Sequence, residues 1–211
     1  MPASSAILEQ LTRATNELTA LAIAWHFVAV IVGVAMICRW QPRASYAPLP
    51  LVAPVVSVFM VSLGYGNWFN AASFFVLAVA LTFASVDLVE PARVHAPRWR
   101  SVLGIGLVVY GIAYPHFVDG AWYRSLYAAP VGVLPCPTLA MIAGYTLVTG
   151  GHETRAVPAV LAVWTAFYAA FGIAKLGVLL DIGLVAATFG LVALALQNDH
   201  ARRHAVAHAT A

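Results

Sequence analysis

The side chains able to do chemistry in this chain are few, and most lie in or beside long apolar runs. His26, Asn70, Tyr114, His116, Asp119, Cys136, Lys175 and Asp181 carry the ligating, nucleophilic and acid–base groups of those regions. Three chemistries fit these types. Cys136 with His26 and His116 would make a thiol–imidazole metal site, because soft and borderline ligands suit copper or zinc. No local Cys-x-x-Cys spacing accompanies them. His26 and His116 alone would be the axial ligands of a haem if they met at matching depth on neighbouring helices. Lys175 and Asp181 have the types of a Schiff-base lysine and its counter-ion, but a salt bridge capping a link near the membrane surface is the plainer use of such a pair. The expectation is therefore no bound cofactor. Nothing has the form of a nucleotide loop, a metalloprotease helix or a nucleophile elbow, which puts hydrolases last and argues against an enzyme.

The elements that must position these groups follow from composition. Of 211 residues, 62% are hydrophobic and 9% charged, against roughly 25% charged in soluble domains. Such a chain cannot cover a water-facing surface, so the expected solvent for most of it is a lipid bilayer. The net charge of +3 is too small to suggest nucleic acid as a partner. Seven apolar segments are expected to be helices: Leu18–Cys38, Ala47–Tyr65, Asn70–Val89, Ser101–Val118, Val131–Gly150, Val157–Leu176 and Val178–Gln197. Each is close to the ~20 residues that cross ~30 Å of hydrocarbon. The fold class is thus all-α, a polytopic membrane bundle. It comprises a polar leader or interfacial helix over 1–17, a transmembrane domain over 18–197 and a cytoplasmic tail over 198–211. In the tail, His200, His204 and His208 are four apart, a metal stripe or simply a solvated face. Cys38 and Cys136 are expected near opposite faces and unbridged.

Orientation follows from the basic residues. With the N-terminus outside, Arg39, Arg43, Arg93, Arg98, Arg100, Arg155, Arg202 and Arg203 are cytoplasmic, and only Arg13, Arg124 and Lys175 are outer. That is a positive-inside distribution. Threaded this way, the polar groups gather in the outer half: His26 about 12 Å from the outer end of its span, then Asn67 and Asn70, Tyr114 to Asp119, Cys136, Lys175 and Asp181. On the inner side, Asp87 and Glu90 beside Arg93, and Glu153 beside Arg155, read as interfacial ion pairs. Pro50 and Pro158 are 108 residues apart, as are Gly64 and Gly172, a spacing compatible with a parallel repeat of three spans.

The most distinctive stretch runs from Tyr114-Pro115 to Pro135-Cys136-Pro137-Thr138. The prolines remove backbone donors and oppose regular helix before Cys136. Irregular backbone at membrane depth needs protein or a water-filled cavity around it, so residues 118–134 are expected to fold back over the bundle. Either they line an outer vestibule with Cys136, His116 and Asp119, or they are a prolyl helix start with a buried inert thiol and aromatic anchors at Trp122, Tyr123 and Tyr127. Small residues at Gly183, Ala187, Ala186 and Gly190, and at Gly104 and Gly106, suit close helix packing.

At this stretch the chain resembles an uncharacterised family of small bacterial integral membrane proteins, classed as a domain of unknown function. That family has a Tyr-Pro pair ending one span and a Pro-Cys-Pro-Thr run opening the next, matched by Tyr114-Pro115 and Pro135 to Thr138. Asn70-Ala-Ala72 and Asp181-Ile-Gly183 match two further features, and the resemblance extends over nearly the whole length. After the Pro-Cys-Pro-Thr run the family continues Thr-Ile-Phe, where this chain has Leu139-Ala-Met141. The resemblance implies a multi-span bundle in the bacterial cytoplasmic (inner) membrane and no assigned activity. It singles out Tyr114, Pro115, Cys136 and Asp181.

Three functions remain open on these grounds. One is a small permease moving a small molecule or ion through an outer polar site. A second is an accessory subunit that packs against a membrane partner protein or another copy of itself. The third is a metal- or haem-binding membrane protein built on His26, His116 and Cys136.

Overall fold

The computed structural model describes residues 4–37, 46, 48–86, 88 and 97–209. Its regular elements among them are all helices. In chain order the helices are α1 (Ser4–Glu17), α2 (Thr19–Ile37), α3 (Leu49–Gly64), α4 (Trp68–Ala84), α5 (Arg98–Ile112), α6 (Ser125–Ala128), α7 (Pro135–Val148), α8 (Ala156–Phe171) and α9 (Ile182–Ala209). Each of the seven apolar segments overlaps one of these helices, and the polar leader forms α1. By length and composition two stretches, Ala156–Leu176 and Leu179–Ala201, are able to cross a membrane. A third is added if α1 and α2, bent by 74° at their junction, count as one span.

The middle helices are shorter than composition suggests, and the reasons are local. The fourth segment stops at Ile112, six residues early, ahead of Pro115, which would leave a carbonyl of that helix unbonded. The fifth begins at Pro135, not Val131, with proline in the first helical turn, where a missing N–H costs nothing. In the other direction, the last helix does not end at Gln197. It continues to Ala209, so the stretch expected to be a separate tail extends α9. Cys38, Asp87, Glu90 and Arg93 lie outside the described residues.

α7 is the axis of the assembly. Eleven of its residues are buried, and α3, α5, α8 and α9 all pack against it. The approach of α5 to α7 is set by glycine. A Cβ on Gly144 would lie 2.4 Å from the Gly104 carbonyl oxygen, and one on Gly111 would lie 2.7 Å from that of Pro137. Backbones this close gain dispersion contacts that larger residues would forbid. On α9, Gly183 admits the ring of Tyr110 and Gly190 admits Leu103 and Leu147, so its small-residue stripe serves packing within the chain.

Of residues 118–134, expected to fold back over the bundle, 128–134 are buried while 119–123, 126 and 127 are exposed. Residues 128–135 are buried without regular helix over 129–134, and their polar groups are met by a relay. Trp25 Nε1 donates to Ser57 Oγ (2.9 Å), which donates to the Gly132 carbonyl (2.6 Å). The Gly132 N–H donates to Thr138 Oγ1 (2.8 Å). Gly132 has φ +70°, and a Cβ there would meet the Trp25 ring at 2.2 Å, so both conformation and space demand glycine.

The outward faces are strongly apolar. Phe27, Phe83, Leu179 and Phe189 are each more than 70% exposed, while Asn70, Thr138, Thr165 and Asp181 are buried. The core is mainly apolar too, so the outside lacks the polar cover of a water-soluble bundle.

Candidate functional site

Five chain segments converge at one end of the bundle: α1, the α3–α4 link, the starts of α4 and α7, and the α8–α9 link. That link is irregular. α8 passes into a single π-helical turn (Gly172–Leu176), Gly177 reverses the chain at φ +70°, and a short 3-10 turn (Leu179–Asp181) leads into α9. The Val178 N–H closes the turn on the Gly172 carbonyl (2.9 Å). The result places Asp181 at the head of α9 but inside the bundle, 1% exposed.

Asp181 is held from two directions. Tyr114 Oη, from the end of α5, donates to Oδ1 at 3.0 Å, and Cys136 Sγ, from the first turn of α7, donates to Oδ2 at 3.3 Å. Tyr110 braces the arrangement: its ring meets Tyr114 edge-on at 5.6 Å, and its hydroxyl donates to the Leu180 carbonyl. Gly172 leaves the room for the carboxylate, since a Cβ there would lie 1.7 Å from Oδ2. The donors are all neutral. Among the described residues the three salt bridges are Arg13–Glu17, Arg155–Asp199 and Arg203–Asp199, so Asp181 has no cationic partner.

Beside Asp181 lies a cavity of about 440 Å³, within the ~300–1,000 Å³ range of small-molecule sites. Asp181, Cys136, Asn70 and Tyr168 contribute polar groups to its wall, and Lys175 stands at its exposed rim. Tyr168 Oη donates to Asn70 Oδ1 at 3.0 Å, which fixes both. Asn67 caps α4 by accepting from the Asn70 N–H (3.1 Å). Three phenyl rings, Phe69, Phe167 and Phe171, stand together at centroid distances of 5.8, 5.9 and 6.0 Å. α1 closes one side, with Ile7 and Leu11 against the cavity. It is tied down by Ser4 Oγ to the Lys175 carbonyl (2.9 Å) and by Asn16 Nδ2 to the Phe117 carbonyl (3.1 Å). Glu17 receives Arg13 (2.8 Å) and Tyr65 Oη (2.7 Å). Those two contacts hold its carboxyl below the usual glutamate range.

The residues singled out by sequence therefore divide. Tyr114, Cys136 and Asp181 form one hydrogen-bonded cluster, and Asn70 shares its cavity. His116 does not: its ring packs on Phe117 at 4.2 Å. Asp119 is exposed and linked to Asn16 through its own backbone N–H (3.0 Å). His26, buried on α2, has no partner at Nδ1. Among the described residues no group of three or more His, Cys, Asp or Glu side chains can hold a metal ion, so His26, His116 and Cys136 are not assembled as ligands. The expected Lys175–Asp181 bridge is also absent, because the π turn points Lys175 to the rim while Asp181 turns inward. At the other end Arg155 pairs with Asp199 (2.8 Å); the side chain of Glu153 lies outside the described residues. Gly64 and Gly172, proposed repeat mates, are not equivalent, since a Cβ on Gly64 meets nothing within 4 Å. Tyr110 and Tyr168 were missed. A tyrosine inside an apolar run needs a hydroxyl partner when buried, and that signal was available. The chain matches no protein-family model, no curated protein and no solved structure.

Proposed function

We propose that this chain is a multi-pass protein of the bacterial cytoplasmic membrane that binds a small solute in the cavity beside Asp181 and passes it across as a small permease. Seven spans with the N-terminus outside are read from the seven apolar segments, of which two, or three with the bent α1–α2 pair, are long and apolar enough to cross by themselves; with seven, α1 lies at the outer surface. The apolar exterior supports lipid as the surrounding solvent. The cations support the orientation. Arg100, which donates to the Leu147 carbonyl (3.2 Å), Arg155 and Arg203 gather at the end opposite Asp181, in keeping with a cytoplasmic face. The short α7 reaches full depth only together with the buried stretch before it, an arrangement suited to a helix enclosed by others.

One observation carries the solute site: a buried carboxylate without a cation, on the wall of a largely apolar cavity. An ionisable group in a membrane bundle is costly, and groups of this kind line solute and ion pathways. Flux in proteoliposomes tests the reading. A solute should move with the wild-type chain and move slowly with Asp181→Asn; absence of flux across a broad panel of cations, anions and neutral solutes would leave the accessory-subunit reading in its place. Orientation is checked separately by labelling single cysteines placed at Arg155 and Arg124 in intact cells. Reagents that cannot cross the membrane should reach only the second.

A further inference from the structure

The cavity's lining also selects a class of solute. We infer that it is built for an amphiphilic organic cation, an ammonium group carried on an apolar body, seated with its charge toward Asp181. This deepens the proposed solute site and rests on it.

Three features point to that class. First, the carboxylate already accepts one neutral hydrogen bond on each oxygen, from Tyr114 and Cys136. It lacks only a counter-charge. Second, the wall offers rings where a metal ion would need oxygens. Calcium or magnesium takes six or more oxygen ligands, and of the amide oxygens lining the cavity Asn70 Oδ1 already accepts from Tyr168 and Asn67 Oδ1 from the Asn70 N–H. Phe69, Phe167 and Phe171 line the cavity and pack on one another, and aromatic surface attracts a desolvated ammonium. Third, the volume of about 440 Å³ greatly exceeds what a bare ion occupies. Lys175, at the rim, makes no ion pair with Asp181 among the described salt bridges. It is therefore not a tethered substitute for the ligand. An anion drawn to Lys175 would have to enter past it toward a carboxylate, which disfavours negatively charged solutes.

The experiment uses the full chain in lipid nanodiscs, with benzyltrimethylammonium as probe and neopentylbenzene, its uncharged isostere, as control. Binding is read by equilibrium dialysis against empty nanodiscs. The cation should bind at least about tenfold more tightly than the isostere. Asp181→Asn should weaken the cation about tenfold and leave the isostere unchanged, Phe171→Leu should weaken the cation about threefold, and Lys175→Gln should preserve or tighten binding. Equal affinity for the charged and uncharged probes overturns the inference, as does full cation affinity in Asp181→Asn or its loss in Lys175→Gln. If Asp181→Asn fails to fold, the isostere comparison and Phe171→Leu decide. Cation binding without flux retires the permease reading and leaves this one standing. Flux of neutral or anionic solutes without cation binding does the reverse.

Discussion

One aspartate, Asp181, stands just ahead of α9 and another, Asp199, lies within it, and the two have opposite surroundings. Asp199 is met by two guanidinium groups, Arg155 at 2.8 Å and Arg203 at 2.7 Å, with those arginines well exposed. Asp181 is enclosed by Tyr114, Cys136 and Gly172 and has no cation. Position along a helix does not decide what an acidic residue does; the helices packed against it do. An exposed pair of this kind is worth little and fades with salt. An enclosed carboxylate costs the fold stability and persists only where the surroundings hold it.

Changes at the two ends should differ in size. Gly172→Ala should have the largest effect, about 2–3 kcal/mol of lost stability, because the added methyl would lie 1.7 Å from Asp181 Oδ2 and 2.7 Å from its Cγ and so push the carboxylate off its hydrogen bonds. Thermal unfolding in detergent measures it, and a shift no larger than that of Gly64→Ala would show that the contact is not tight. Tyr114→Phe should come next, at about 2 kcal/mol, by removing a hydrogen bond to a buried acid. Asp199→Asn should cost below about 1 kcal/mol, and raising salt to 1 M should erase most of that difference while leaving Tyr114→Phe unchanged. Equal salt sensitivity at the two ends would collapse the distinction between them.

The smallest effect concerns α1 and pH. Glu17 titrates below its ordinary value of about 4.3 because Arg13 and Tyr65 favour its charged form. Its contribution is thus present above that value and lost as pH falls through the lowered one. Protease cleavage within α1 should be slow at neutral pH and faster well below pH 4, with cleavage elsewhere unaffected. An α1 equally protected at both would mean that Glu17 does not help to hold it.

Local chemistry accounts for what was readable beforehand. Apolar runs located the helices, and the prolines argued against regular helix before Cys136 although the fifth segment was begun at Val131, because hydropathy and proline geometry act within a few residues. Pro115 should likewise have argued for an early end to α5. The site was only half legible. Tyr114, Cys136, Asp181 and Asn70 could be named from their cost in an apolar environment. Their partners could not, because Asp181 meets Cys136 across 45 residues and Tyr114 across 67. Lys175 misled for the same reason. Six residues from Asp181, it was the obvious counter-ion until the π turn sent the two side chains in different directions.

The roof that α1 places over the cavity also has a kinetic meaning. Its fastenings run through Ser4, Asn16 and Glu17 to carbonyls and a phenol, bonds that water can replace one at a time, whereas α7 is embedded among the side chains of four neighbouring helices. Its first turns should therefore breathe on a much shorter clock than the rest of the molecule. Amide protons there would trade with deuterium long before those of α7, and whatever enters the chamber could do so during those excursions without disturbing the bundle beneath.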